Sequence, residues 1–311
     1  QEGQVWYNTT STVLKGFGKQ GTGAWASAAS IPVGKEYGGQ AGTTTAFLSF
    51  GGTAPTVDTT FEFDGTTWTA ANAMSAPNAN AGGTGTQTAA LSAGGSAGAD
   101  NTTEEYDGTS WTAGNARPYA GGYGFIFGTQ TAGLTGTGWL GGSSPGQFTT
   151  VADYDGTSWT VGTSYPTIVS GTFGSGTATA GIGMAGDDGT ASGKGTAANT
   201  YDGTTWTSTG AINNGRYQGS AGGAQGACMI VGGQSYGPTT GYDYTEMFDG
   251  STWTEVADLS TDRRVQGWGF SMTAGATTGF LVGGGTTPAG LYQPTYEEWA
   301  VPTVIKTFTA T

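Results

Sequence analysis

Hydrophobic and polar positions alternate loosely along this chain, in short runs that end at glycines. Thr86-Gln87-Thr88-Ala89-Ala90-Leu91-Ser92-Ala93 is one such run, and it reads as a strand entering a turn at Gly94-Gly95. A polar loop follows, and Thr103-Glu104-Glu105-Tyr106 reads as a second strand. Asp107-Gly108 is a two-residue hairpin signal, since both residue types accept the positive φ of a type I′ turn. Thr109-Ser110-Trp111-Thr112 then returns antiparallel, and Asn115, Arg117 and Pro118 mark the passage to the next unit. One further strand ahead of this run makes a four-stranded antiparallel sheet.

The same wording recurs. Aromatic-Asp-Gly-Ser/Thr-Ser/Thr-Trp-Thr begins at Phe63, Tyr106, Tyr154, Tyr201 and Phe248. It fixes five Asp-Gly pairs (Asp64-Gly65, Asp107-Gly108, Asp155-Gly156, Asp202-Gly203, Asp249-Gly250) and five tryptophans (Trp68, Trp111, Trp159, Trp206, Trp253). The tryptophans are 43, 48, 47 and 47 residues apart, and a period in the forties marks a stacked or circular repeat. A small sheet with one large aromatic cannot bury its faces alone, and closing a ring of such sheets protects their edges. The expectation is an all-β fold, a β-propeller.

Glycine turns at Gly51-Gly52, Gly94-Gly95, Gly141-Gly142, Ala185-Gly186, Gly232-Gly233 and Gly283-Gly284 count six blades. The sixth aromatic strand, Tyr296-Glu297-Glu298-Trp299, lacks the Asp-Gly turn and a following Trp strand. Trp25, 43 residues before Trp68, supplies it. The prediction is six four-stranded blades over residues 21–300, closed by the N-terminal strand around Trp25. Residues 1–20 read as a hairpin about an Asn-Thr-Thr-Ser turn, with Trp6, Tyr7, Val13 and Leu14 as candidate attachment residues. Residues 301–311 read as a strand-like tail. The two flanks either pair with each other beside the ring or dock on another subunit.

Composition narrows the chemistry. Glycine supplies 61 residues while aromatics still reach 12%, so the chain can build a core from short strands and tight turns. The formal charge of −13 repels phosphate backbones and anionic membranes, so neither nucleic acid nor membrane is an expected partner. No apolar run approaches the roughly 20 residues of a membrane span. Histidine is absent, which removes the usual neutral-pH general base and the commonest transition-metal ligand. The one cysteine, Cys228, reads as a small buried hydrophobe in a strand. No cofactor is expected.

A hydrophobic strand, Gly-Gly, an aromatic and then Trp resembles the kelch repeat, and Arg117, Arg216 and Arg263 stand near unit starts as kelch arginines often do. The five-residue spacing from aromatic to Trp is shorter than usual in kelch. More closely, the wording is similar to kelch-like virion proteins of tailed bacteriophages, marine ones especially. Glu104–Thr112, Gly85–Leu91, the opening Gly3–Thr10 and the closing Val304–Thr309 carry that likeness, which spans nearly the whole chain. It implies a non-enzymatic structural protein of an extracellular phage particle (fibre, tail appendage or head decoration). Other virion proteins would be its partners, with self-association through the terminal strands as a further possibility.

Several residues invite a more chemical reading. Asp-Gly-Thr-Ser/Thr-Trp also resembles the Asp-box of sialidase propellers, which in that family is a structural turn remote from catalysis. Sialidase chemistry needs three convergent arginines; this chain has four in all, and Arg263 and Arg264 are adjacent. The copper site of some kelch enzymes needs histidine. The five repeated aspartates either form a calcium-binding ring or each cap their own turn. Asp187-Asp188 opens a loop that is either solvated or metal-binding. Tyr236, Tyr242 and Tyr244 lie in an aromatic-rich loop suited to host-surface glycan or to a neighbouring subunit. The alternatives to the structural reading are therefore a glycan-binding receptor module and, more remotely, a glycosidase, which would require a carboxylate pair roughly 5–10 Å apart.

Overall fold

The computed structural model describes residues 5–10, 13–19, 23–53, 56–95, 100–140, 146–189, 195–234, 241–263, 271–272, 279–286 and 291–308. Regular structure among them is entirely strand. The chain opens with β1 (Val5–Asn8), β2 (Val13–Lys19) and β3 (Ala24–Ala28). Five four-stranded units then follow in order. The first is β4 (Gly39–Thr43), β5 (Ala46–Phe50), β6 (Thr60–Phe63) and β7 (Trp68–Ala71). The second is β8 (Gly82–Thr86), β9 (Ala89–Ala93), β10 (Thr103–Tyr106) and β11 (Trp111–Ala113). The third comprises β12 (Phe125–Thr129), β13 (Ala132–Trp139), β14 (Gln147–Tyr154) and β15 (Trp159–Val161). The fourth comprises β16 (Phe173–Thr177), β17 (Ala180–Met184), β18 (Ala198–Tyr201) and β19 (Trp206–Thr209). The fifth is β20 (Ser220–Ala224), β21 (Ala227–Val231), β22 (Thr245–Phe248) and β23 (Trp253–Glu255). The chain ends with β24 (Ser271–Met272), β25 (Gly279–Thr286), β26 (Leu291–Ala300) and β27 (Thr303–Phe308).

Each unit pairs its strands antiparallel in sequence order, the up-and-down meander of a propeller blade. The fold is a β-propeller. The count differs from expectation: among the described residues there are five four-stranded blades, not six. The remaining ring sheet is three-stranded, in the order β25-β26-β3. Its expected inner strand does not pair with β25. Instead β24 lies parallel to β20, with Ala221 opposite Ser271 and Gly222 opposite Met272. Strand β20, Ser-Ala-Gly-Gly-Ala, is the inner edge of its blade, so its outward backbone groups are open to pairing with a further strand.

The N-terminal closure is present. Strand β3 pairs antiparallel with β26, and Trp25 stands opposite Trp299 with ring centroids 5.5 Å apart. This sheet is wedged between the fifth and first blades. One apolar cluster joins Met229 and Val231 of β21, Tyr296 and Trp299 of β26, and Phe47, Phe61 and Phe63 of the first blade. Trp299 is fully buried within it.

Two local expectations are corrected. The strand predicted from Thr86 starts at Ala89, because Gln87-Thr88 form a two-residue turn between β8 and β9. The Asp-Gly hairpin is a four-residue loop rather than a type I′ turn: Phe63 pairs with Trp68, and Asp64 N–H donates to Thr67 O at 3.2 Å. Only the glycine has positive φ (+92° at Gly65, +87° at Gly108); the aspartate does not. Glycine is also required there for space, since a Cβ on Gly108 would lie 3.1 Å from Thr88 Cβ.

The predicted glycine turns hold at Gly51-Gly52, Gly94-Gly95, Ala185-Gly186 and Gly232-Gly233, where both residues take positive φ. In the third blade that conformation falls at Thr137-Gly138, and Gly141-Gly142 lies outside the described residues. Gly283-Gly284 lies inside β25, beside a register shift between Val282 and Gly284.

Candidate functional site

The repeated phrase forms one device in every blade. Asp64 Oδ1 accepts the N–H groups of Thr66 (2.8 Å) and Thr67 (2.7 Å), while Oδ2 accepts the Thr67 hydroxyl (3.0 Å). Asp107, Asp155, Asp202 and Asp249 repeat this arrangement in their own loops. The backbone bonds hold all five carboxyls below the usual aspartate range, first through the residue three positions on and then the one two positions on. Each carboxylate is thus committed to its own turn, and each is fully exposed. Among the described residues no group of three or more His, Cys, Asp or Glu is placed to hold a metal ion.

The flanking aromatics stack across the same hairpin. Phe63–Trp68, Tyr106–Trp111, Tyr154–Trp159, Tyr201–Trp206 and Phe248–Trp253 have centroids 4.9, 5.1, 4.7, 4.6 and 4.9 Å apart. Each indole N–H reaches back to the preceding sheet. Trp111 donates to Thr60 Oγ1 and Trp159 to Thr103 Oγ1, both at 2.9 Å. Trp206 donates to Thr163 O (3.0 Å) and Trp253 to Gly210 O (2.9 Å). Trp25 donates to Thr245 Oγ1 of the fifth blade (3.0 Å), and Trp68 to Ala29 O beyond β3 (2.9 Å). The tryptophan of the phrase is an inter-sheet fastener, and Trp25 continues the series in the closing sheet without the Asp-Gly turn.

Two further fasteners follow: a glutamine that the sequence reading missed, and a buried cation that was legible there only as arginines near unit starts. Gln87 Nε2 donates to Phe47 O and Phe63 O of the first blade. Gln130 and Gln225 make the same forked contact one blade on from theirs, with Ala90 O and Tyr106 O, and with Gly181 O and Tyr201 O. Their signal was a Gln at the same turn position after a Gly-Thr or Gly-Ala step. The second fastener sits ten residues after the tryptophan, where Arg216, Arg263 and Lys35 are all buried. Arg216 Nη1 lies 2.5 Å from Glu246 Oε1, and Arg263 Nη2 lies 3.4 Å from Glu297 Oε1. Arg117 stands four residues earlier than its counterparts, but its guanidinium donates to Gly121 O at the equivalent position. Lys35 has no ion pair among the described residues: its Nζ sits 5.3 Å from the Phe61 ring centre and 3.3 Å from Thr59 O, and burial pulls its pKa down to about 7.

Ser271–Met272 runs beside the inner strands β4, β8, β12, β16 and β20 of all five blades. Cys228 is fully buried, and burial pushes its thiol up to about 12, an inert state. Tyr242 and Tyr244 stack on each other with centroids 4.8 Å apart and planes at 21°, so each ring already covers one face of the other. Tyr236 lies outside the described residues. Asp187 Oδ1 accepts Gly189 N–H (2.9 Å), its backbone bridges Ser170, and burial raises its carboxyl above the usual value.

The ends of the chain come together away from these fasteners. Strands β1, β2 and β27 form a three-stranded antiparallel sheet in the order β1-β2-β27, with Trp6 opposite Lys15, Tyr7 opposite Leu14, Asn8 opposite Val13, and Leu14 opposite Phe308. The ladder continues the ring closure: Ala24 faces Ala300 at the end of the β3/β26 pair, and Lys19 faces Thr303 where β2 and β27 take over. Of the four attachment candidates, Tyr7 is exposed, and so is its neighbour on the same face, Val5.

Known proteins add the fold and nothing finer. No family model matches the chain, and no curated protein matches it. The solved structure of YjhT is similar, with a TM-score of 0.67 over 91% of this chain and 99% of YjhT, at 13% identity. At that identity the likeness supports a β-propeller and carries no function.

Proposed function

We propose that this protein is a non-enzymatic structural component of a phage particle, a propeller that serves as a protein–protein scaffold and is attached through its terminal sheet. The observation that carries this reading is the β1-β2-β27 sheet. Both flanking segments are spent on a module outside the ring, built as a continuation of the ladder that closes it. A catalytic propeller needs polar groups converging on an open cavity. Here the repeated polar groups are consumed by turns and inter-blade contacts. The virion-protein wording at Gly3–Thr10 and Val304–Thr309 overlaps β1 and β27, which agrees with attachment there.

The three-stranded β25-β26-β3 sheet closes the ring without being a sixth four-stranded blade. Trp25–Thr245 and Trp68–Ala29 fasten it on both sides as the blades are fastened. The function is tested by removing residues 1–16 from the gene in its native genome and weighing the protein in purified particles. Loss of the protein from particles with the propeller still folded supports attachment through the sheet; unchanged incorporation rejects it.

The second reading, a receptor module for host glycan, rests on the Tyr242–Tyr244 stack, whose outer faces would take a sugar ring. Glycan-array binding that disappears in Tyr244→Ala supports it, and a blank array counts against it.

A further inference from the structure

Charge is divided unevenly between the ring and the terminal sheet. Residues 23–302 hold six Lys/Arg and 21 Asp/Glu. Four of those cations (Lys35, Arg117, Arg216 and Arg263) and four of the acids (Glu36, Glu104, Glu246 and Glu297) are buried, so the acidic excess stays with the exterior of the propeller. The five hairpin aspartates contribute fixed exposed charges to it. The terminal sheet reverses the sign: its strands carry Lys15, Lys19 and Lys306 and no acid. Strands β1 and β27 are its two edges, and β1 exposes Val5 and Tyr7 at 59% and 58%. By the register Lys306 shares a face with Val5 and Tyr7, while Lys15 and Lys19 lie on the opposite face. A sheet that is basic on both faces, with an open edge that bears apolar side chains, is a docking surface, and its complement is an acidic protein face.

We propose that the occupant is a second copy of this chain, so that the terminal sheet of one molecule docks on the acidic propeller of the next. The inference rests on the structural reading above and names its partner. Because the two surfaces differ, the contact is heterologous, and repetition gives a filament or a closed ring rather than a two-fold dimer. Two β1 edges meeting each other would bring the lysine-bearing sheets together and gain nothing from the acidic face.

Electrostatics gives this contact a distinctive salt dependence. Whole molecules of net charge −13 repel one another. The screening length is about 30 Å at 0.01 M salt, so that repulsion opposes association; at about 0.1 M it shrinks to about 10 Å and leaves the local attraction in place. Toward 1 M the local attraction is screened as well. Association therefore passes through a maximum.

The test is sedimentation velocity of the full chain over a range of concentrations, at about 0.01, 0.1 and 1 M NaCl. The expected result is a mass that grows past the dimer at the middle salt and falls toward the 31.1 kDa monomer at both extremes. Lys15→Glu with Lys306→Glu is expected to stay monomeric throughout, with an unchanged melting curve. Val5→Ser with Tyr7→Ser is expected to weaken association about tenfold. A wild-type monomer at every salt, a salt-insensitive closed dimer, or unimpaired assembly of the lysine variant would overturn the proposal. A monomer that still enters particles refutes self-association alone; assembly of a protein absent from particles refutes the virion reading alone.

Discussion

Trp25 donates its indole N–H to the hydroxyl of Thr245, 220 residues away in sequence, at 3.0 Å. The same tryptophan packs edge-on against Trp299. One side chain from the N-terminal strand therefore ties the last ring sheet to the fifth blade, as the other tryptophans tie their own blades. The fold closes through this pair of contacts, and no covalent link is involved.

Trp25→Phe keeps most of the ring contact and removes the donor. It is expected to lower stability by about 1 kcal/mol, the worth of one hydrogen bond. Trp25→Ala is expected to cost about 3 kcal/mol because a large ring leaves the interface. Urea unfolding followed by tryptophan fluorescence checks both. Equal losses would mean that the hydrogen bond contributes nothing.

Arg216 and Glu246 are completely buried against each other, and Glu246 also accepts the backbone N–H groups of Asn213 (2.7 Å) and Asn214 (3.2 Å). Removing one charge leaves the other uncompensated. Arg216→Met is expected to destabilise by about 3–5 kcal/mol. Arg117→Met, whose guanidinium meets carbonyls and no acid, is expected to cost less. The order of the two unfolding midpoints decides the matter.

Lys35 predicts a pH effect of definite sign. Its folded pKa lies near 7, below the ordinary lysine value, because burial penalises the ammonium. The unfolded state thus binds more protons between those two values, and this lysine makes stability rise with pH from about 7 toward 10. Below about 7 the penalty is present in full and constant. Lys35→Met is expected to be more stable than wild type at neutral pH, with the gap closing on the alkaline side. A gap that stays constant across the range would contradict a buried amine titrating there.

The five loop aspartates act in the opposite range. Their folded pKa values are depressed, so the stability they add is present above the unfolded aspartate value and is lost as pH falls through the folded one. Melting temperature is expected to hold down to about pH 4 and to drop below it. Asp107→Asn with Asp155→Asn is expected to shrink that drop. Thermal melts in acid buffers test it.

Much of the fold was legible because one motif combines turn chemistry with a packing aromatic. The Asp-Gly-x-x-Trp phrase located every outer hairpin, and the phase of Trp25 located the closure. The turn type was not legible: Asp and Gly both tolerate positive φ, and only the bonds Asp64 accepts from Thr66 and Thr67 show that the loop is four residues long. Nor was the incomplete closing sheet, since β24 is only the two residues Ser271 and Met272 beside the small-residue strand β20, too short to leave a hydrophobic pattern. The Gln87 fastener bonds to the preceding blade, so its recurrence showed a position and not a partner, and Arg216 was legible as a unit-start arginine but not as the partner of Glu246. As for a site, the repeat explained itself as structure, and the terminal sheet was legible as a hairpin and a strand-like tail, whose pairing with each other was one of two alternatives left open.

The central claim is that the propeller is a particle component held by its terminal sheet. An image reconstruction of the intact phage particle at side-chain detail tests it most directly. The account predicts propeller-shaped density into which this chain fits, with β1, Val5 and Tyr7 covered by a neighbouring subunit. Particles without this chain, or a propeller seated with its terminal sheet in solvent, would contradict it.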